Sequence, residues 1–277
     1  MAVGAVGKAA ARPSTTILMG TLGRPGWDEH VSTLIDQTVP ADEFLVVIDR
    51  TTDASERAAM QEKWPGITFV FNDDNIGLTR SLNIGLGRAK GDIILRADDD
   101  DAYFPTRVER QLRAFAETGA DLISAWGEGI ADGGKPYLIS APTDDAGIKA
   151  ALLKRNVILH PALAFRRSAV EAIGGYNESF LYAQDYALYL AAVRAGLTFA
   201  VIPEPLVRRF YHADNIGVSR RYRQMMYSCA ARCLHCAHLG DRAMFVRTLA
   251  HYAALAATPP WARVARRKAF TLIGRGR

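Results

Sequence analysis

The sequence predicts an α/β fold built on a largely parallel sheet. Short apolar runs alternate with amphipathic helical segments over the first half of the chain, which is the pattern of strand–helix–strand units. One run, Phe44-Leu45-Val46-Val47-Ile48, is apolar throughout, as a strand covered on both faces must be. The 277 residues are 49% hydrophobic and 23% charged, proportions that suit a packed core and exclude a mostly disordered chain.

The elements follow in order. Residues 1–13 are mostly small, with Lys8 and Arg12 and no long apolar stretch. They read as a flexible tail without a secretory signal. Thr16-Ile17-Leu18-Met19 reads as the first strand, and Trp27, Val31, Leu34 and Ile35 fall on one face of a following helix. Phe44 to Ile48 is the second strand, residues 54–64 are helical, and Thr68-Phe69-Val70-Phe71 is the third strand. Leu78, Leu82, Gly85, Leu86 and Ala89 recur at helical spacing. Residues 92–95 form the fourth strand. Pro105 opens a helix that turns Val108, Leu112 and Phe115 inward, because the missing proline N–H costs nothing at a first helical position. Residues 121–125 make a fifth strand, and residues 127–142, rich in Gly and Pro, an irregular hairpin. Residues 144–154 read as a helix, residues 163–209 as short strands and two helices, and the chain from Ser219 onward as helical.

Charge divides the chain. The formal total is +5, yet from Pro205 onward 14 Lys/Arg face only Asp214 and Asp241. Residues 1–204 carry the acidic excess, which suits a metal and disfavours nucleic acid. The basic stretch Trp261-Ala262-Arg263-Val264-Ala265-Arg266-Arg267-Lys268-Ala269-Phe270 fits either an anionic membrane surface or a solvated helix. The uncharged residues 248–262 are broken by Pro259 and Pro260 and are too short to span a bilayer. Three cysteines exclude a disulfide scaffold and point to a reducing compartment. Cys229, Cys233 and Cys236 recur on one helix face, a buried stripe rather than a zinc site.

Ligands of such sheets bind beyond the carboxyl ends of the strands. That rule selects residues 21–24, 49–53, 72–75 and 98–101, hence Thr21, Arg24, Asp49 and Asn75. The strongest signal is Arg96-Ala97-Asp98-Asp99-Asp100-Asp101 directly after Ile93-Ile94-Leu95. Four adjacent carboxylates repel one another, and a hard divalent cation relieves that repulsion while bridging phosphates.

This segment, with Pro105, Arg107 and Gln111, resembles the DXD region of family 2 glycosyltransferases of the GT-A fold. Other segments follow in that family's order. Asn75-Ile76-Gly77-Leu78 with Ser81-Leu82-Asn83-Ile84-Gly85-Leu86 resembles its NxGL segment. His160-Pro161, Phe165-Arg166-Arg167 and Gly174-Gly175-Tyr176 resemble its HP…FR…GGY segment. Gln184-Asp185-Tyr186-Ala187-Leu188 resembles its ED-x-x-L motif, and Pro203-Glu204-Pro205-Leu206 leading to His212 its late histidine segment.

The resemblance implies a GT-A domain over residues 14–211 and a helical, basic extension over residues 212–277. It implies Asp185 as the general base on the acceptor hydroxyl, and Asp100 and His212 as metal ligands. Asp98 and Asp99 complete the DXD, with Asp101 leaving the ligand register open by one position. Asp49 faces the nucleotide base, and Thr21, Arg24, Asn75 and Arg80 join the donor side. His160, Trp126 and Gln184 stand on the acceptor side. Arg50 replaces a second acid after the second strand, and Gln184 replaces the usual Glu before the base.

Mn²⁺ or Mg²⁺ would neutralise the diphosphate leaving group, and a carboxylate would take the hydroxyl proton. The expected reaction is inverting transfer from a nucleotide-sugar, UDP-linked by preference, to a saccharide or lipid-linked acceptor in polysaccharide or glycolipid synthesis. A sugar nucleotidyltransferase and a non-catalytic saccharide-binding subunit are the alternatives. The expected location is cytoplasmic, either free or, if the basic stretch meets a membrane, peripheral at the inner face of the plasma membrane.

Overall fold

The computed structural model describes residues 12–131, 134–211 and 221–258. Two units divide the chain, Met1–His212 and Ala213–Arg277.

The first unit holds a mixed nine-stranded sheet. Its strands are β1 (Thr15–Thr21), β2 (Glu43–Ile48), β3 (Thr68–Phe71), β4 (Ile93–Ala97), β5 (Asp101–Tyr103), β6 (Leu122–Ala131), β7 (Tyr137–Ile139), β8 (Ala164–Arg166) and β9 (Phe199–Tyr211). The order is β3-β2-β1-β4-β8-β6-β9-β5, with β7 added to β6. The first four run parallel. All seven residues of β1 are buried, as a central parallel strand requires. The helices are α1 (Val31–Ile35), α2 (Ala54–Lys63), α3 (Leu78–Arg88), α4 (Arg107–Thr118), α5 (Asp145–Leu152), α6 (Arg167–Ala172) and α7 (Gln184–Arg194), with a 3₁₀ turn at His160–Ala162. Gly85 lets α3 lie close to the sheet: a Cβ there would fall 2.3 Å from Leu18 Cδ1.

Strand direction decides where the late strands end. β8 runs antiparallel to β4, β6 antiparallel to β8, and β9 parallel to β6. The carboxyl ends of β6 and β9 therefore reach the same edge of the sheet as those of β1 to β4.

Several sequence expectations are corrected. α1 is only five residues long, so Trp27 enters the core from the preceding turn and Ile35 stays 45% exposed. The hairpin expected over residues 127–142 is formed by the end of β6 and by β7, which pair antiparallel from Gly127–Ile139 to Gly129–Tyr137. β9 is a single 13-residue strand through Pro203 and Pro205. The ladder with β6 shifts register around Trp126, opposite Pro205, where proline has no N–H to donate. Asp101, the last of the four adjacent acids, begins β5 and pairs with Arg209. Arg12, assigned to the tail, donates from both terminal nitrogens to Asp42 at 2.9 Å.

The second unit contains α8 (Arg221–Leu239) and α9 (Arg242–Ala257). Asp241 caps α9 by accepting from the Met244 amide at 2.8 Å. Of the three cysteines on α8, Cys236 is buried, while Cys229 and Cys233 are half-buried with their sulfurs 4.0 Å apart. Among the described residues no helix is long and apolar enough to cross a membrane. His212 and the basic stretch after Pro260 lie outside the described residues.

Candidate active site

The parallel half of the sheet delivers Thr21, Asp49, Asn72 and Asp98 to one edge. Its ladder runs on past the strand ends, with Asp49 N–H donating to Thr21 O at 2.7 Å and Asn72 N–H to Ile48 O at 2.9 Å. Asp49 is buried and accepts from Asn72 Nδ2 and from the amides of Ile76 and Gly77, at 2.9–3.0 Å. It thereby shapes the loop that carries exposed Asn75. Arg50 ties the two neighbouring loops together, donating to Leu22 O at 2.6 Å and to Gly23 O at 3.2 Å while pairing with Glu56. Arg24 is exposed, and Arg80 pairs with Glu178 at 3.3 Å.

The four aspartates after β4 do not act as one group. Asp99 turns away to accept a hydrogen bond from Thr21 Oγ1, whose oxygen also receives the Gly23 amide. Asp98, Asp100 and Asp101 converge: one oxygen of each lies within 4.8 Å of the others. Both Asp101 oxygens are buried without a well-formed hydrogen bond, although the Phe210 amide lies close enough to favour the charged form. Buried carboxylate oxygens so weakly satisfied, set beside two more carboxylates, are a donor set suited to a hard cation. The residues therefore fit a divalent metal through Asp98, Asp100 and Asp101.

Electrostatics separates the four. Burial pushes Asp101 well up, assisted by the charges of Asp98 and Asp100. Burial and the charges of Asp98 and Asp99 push Asp100 up to about 6. Burial also raises Asp99 despite the hydrogen bond from Thr21. For Asp98, burial is outweighed by the Arg96 guanidinium and its carboxyl is held below the usual range.

Two fully buried arginines support this loop. Arg96 pairs with Asp98. Arg107 donates to Arg96 O at 2.6 Å and lies over the Tyr103 ring at 4.6 Å. Tyr103 Oη in turn receives the Asp98 amide at 2.7 Å. Gln111 completes the frame, accepting from Arg107 Nε at 3.1 Å and donating to Ala162 O at 2.8 Å. A third arginine, Arg209, stands across from Asp101 in the β5–β9 ladder, and the charges of Asp101, Asp98 and Asp100 raise its pKa against burial.

Asp185 lies in the first turn of α7, where a carboxylate is favoured by the helix dipole. Asn156 Nδ2 donates to its Oδ2 and the Tyr186 amide to its Oδ1, both at 2.8 Å. Burial raises its pKa against those two hydrogen bonds, and it feels the charges of Arg209 and Asp98. The residue that caps α7, Ala183, has φ 54°, the one positive φ among described non-glycine residues. A left-handed alanine costs about 1–2 kcal/mol, and this one sets the turn that presents Gln184 and Asp185.

The acceptor-side expectations land differently from one another. His160 is buried, its Nε2 lies 2.9 Å from Tyr176 Oη, and burial with the Arg96 charge lowers its pKa to about 3. It stands as a neutral ring inside the wall. Trp126 is half-buried and donates from Nε1 to Ala141 O at 3.0 Å. Gln184 is half-buried at the start of α7. Sequence reasoning missed Asn156 and Arg209. Nothing in the pattern around Asn156 marks it, and the doublet Arg208-Arg209 does not say which member faces the acids. Strand alternation does: Arg208 points the other way and pairs with Glu128 at 2.8 Å.

Comparison with known proteins gives consistent likenesses. The family model described as Glycosyl transferase family 2 matches residues 28–174. The chain is 29% identical over 185 residues to the UDP-Gal:alpha-D-GlcNAc-diphosphoundecaprenol beta-1,3-galactosyltransferase of Escherichia coli, a match covering 65% of this chain and 66% of that protein. It is 28% identical over 198 residues to the amylovoran biosynthesis glycosyltransferase AmsE of Erwinia amylovora, covering 70% of this chain and 73% of that one. Among solved structures it resembles S. aureus TarS 1-349 in complex with UDP-GlcNAc, with TM-score 0.64 at 15% identity, covering 86% of this chain and 80% of that one. It also resembles the mannosyltransferase PcManGT of Pyrobaculum calidifontis in complex with GDP-Man and Mn²⁺, with TM-score 0.58 at 20% identity, covering 95% and 81%.

Proposed function

This chain belongs to glycosyl transferase family 2, and from that premise we propose which reaction it performs and with which residues. It is a glycosyltransferase of GT-A fold in glycan biosynthesis. The proposed reaction is inverting transfer of a sugar from a nucleotide diphosphate, UDP by preference, to a hydroxyl of a saccharide or lipid-linked acceptor. The single observation that carries it is Asp185, oriented by Asn156 and Tyr186 and within electrostatic reach of Asp98.

In this reading Asp98, Asp100 and Asp101 hold a divalent metal. When bound, that ion supplies Lewis-acid neutralisation of the diphosphate. Thr21 and Asp99 set the edge of the donor site. Asp49, through the amides of Ile76 and Gly77, orders the loop against which the base rests, with Asn75, Arg24 and Arg80 at its rim. Asp185 receives the acceptor proton on an oxygen that still has a free lone pair. The acceptor oxygen then attacks the anomeric carbon from the face opposite the diphosphate, so one displacement inverts its configuration. Arg209 places a fixed positive charge beside the developing negative charge of the leaving group. Gln184 and Trp126 border the acceptor. His212 would approach the metal or diphosphate. A lipid-linked acceptor, as in the name of the Escherichia coli relative, would bring the enzyme to a membrane surface, where the basic stretch after Pro260 would help hold it. A nucleotidyltransferase would leave the Asp185 assembly without a task.

Calorimetric titration of UDP, GDP and dTDP, with Mn²⁺ and with EDTA, tests the donor side. Metal-dependent binding of UDP supports the reading. Binding of GDP or dTDP instead replaces the donor class, and binding of none of them with metal present overturns it.

A further inference from the structure

One row of the sheet places four residues in register. Tyr137 of β7 pairs with Gly129 of β6, Gly129 with Arg209 of β9, and Arg209 with Asp101 of β5. Residues opposed in a ladder point to the same face, so Tyr137 and Arg209 share the face on which Asp101 joins the acid cluster. Two residues along β9, on that same face, stands Tyr211. The Arg209 guanidinium lies 5.2 Å from the Tyr211 ring centre. The rings of Tyr211 and Tyr137 are nearly parallel, 23° apart, with centres separated by 6.2 Å. At that distance the two rings are neighbours with an offset rather than directly superposed.

Gly129 is what lets this surface exist. A Cβ at that position would fall 2.4 Å from Tyr137 Cζ and 2.7 Å from its Oη, so the tyrosine ring lies flat on bare backbone. Glycine within a strand weakens it and marks a close approach. Tyr137 nevertheless remains 44% exposed on its strand. A strip thus runs outward from carboxylate to guanidinium to two aromatic faces, at the carboxyl edge of the sheet and away from the β1–β3 loops.

We infer that Tyr137 and Tyr211, flanked by Arg209, form a subsite for a pyranose ring of the acceptor saccharide. The C–H face of the sugar covers the tyrosine faces, which removes apolar surface of both from water. Its equatorial hydroxyls meet the Arg209 N–H groups, which can only donate. This deepens the proposed function and rests on it for the word acceptor; the sugar-binding statement stands by itself.

The test is saturation-transfer NMR on the 277-residue chain with the methyl glycosides of galactose, glucose, N-acetylglucosamine and mannose. Saturation should reach the ring protons of at least one glycoside. Tyr137→Ala and Tyr211→Ala should each weaken that binding roughly tenfold, and Gly129→Val should do the same by displacing Tyr137. Tyr137→Phe, which keeps the face, should bind like wild type. So should Leu138→Ala, which trims an exposed side chain on the other face of β7. Undiminished binding in Tyr137→Ala and Tyr211→Ala, or no saturation of any glycoside in wild type, overturns the inference. Loss of UDP binding in folded Tyr137→Ala also overturns it, by moving the strip to the donor side. Because glycoside binding needs no donor, failure of the transferase reading would leave a positive result intact.

Discussion

Asn156 Nδ2 lies 2.8 Å from Oδ2 of Asp185, while the Tyr186 amide holds Oδ1 at the same distance. Each carboxylate oxygen is fixed by one donor and keeps one lone pair. Asp185→Asn preserves the shape and removes the proton acceptor. Turnover should fall by about 10²–10⁴-fold with UDP affinity by calorimetry unchanged. A parallel loss of UDP affinity would move Asp185 to the donor site.

The pH profile follows from the raised pKa of Asp185. Only the ionised carboxylate accepts a proton, so kcat/KM should rise with pH through a value above 3.8 and then level off. Asn156 stabilises the charged form. Asn156→Ala should therefore move this acid limb to higher pH and lower kcat more than it raises the donor KM. An acid limb that stays in place would make Asn156 a packing residue.

The convergence of Asp98, Asp100 and Asp101 without Asp99 predicts a split among four adjacent residues. Asn substitution at Asp98, Asp100 or Asp101 should weaken Mn²⁺ binding, read from the electron paramagnetic resonance of free Mn²⁺, by tenfold or more, on the order of 1.4 kcal/mol each. Asp99→Asn should leave it close to wild type.

Asp101 makes a second, opposite prediction. Burial and the charges of Asp98 and Asp100 outweigh the Arg209 charge and the Phe210 amide that favour its ionised form, so without metal its charge destabilises the fold. Asp101→Asn should raise the Tm of EDTA-treated protein and diminish the rise that Mn²⁺ produces in wild type, which at 100 times Kd corresponds to about 2.7 kcal/mol. An Asp101→Asn protein less stable than wild type in EDTA would show that the carboxylate supports the fold unaided.

Gly91 tests the frame below the site. A Cβ there would lie 2.5 Å from Thr16 N and 2.6 Å from Thr15 C, both backbone. Gly91→Ala should cost about 1–3 kcal/mol and lower Tm by several degrees. Gly87, exposed on α3 with nothing within 4 Å of such a Cβ, gives the contrast. Gly87→Ala should stabilise by about 0.5–1 kcal/mol. Equal Tm values for the two variants would refute the close approach at Gly91.

The sequence alone determined the parallel half of the sheet, the helices between its strands and the acidic loop after β4. Burial on both faces writes a continuous apolar run such as Phe44 to Ile48, and helix packing writes the spacing of Leu82, Gly85 and Leu86. Those signals are local, because each element carries its own burial period. The family resemblance marked Asp185 by the same local route, through the residues around it. Tertiary structure decided the rest. It decided that Asp99 leaves its neighbours for Thr21, that Asp101 joins a strand opposite Arg209, and that Asn156 reaches Asp185 from 29 residues away. It also decided that Gly127 and Gly129 are strand positions, with Tyr137 laid over one of them. Each of these depends on register between segments distant in the chain. In the strands a one-residue slip would turn Asp101, Arg209 and Tyr137 to the opposite face, and no local pattern of residue types records that choice.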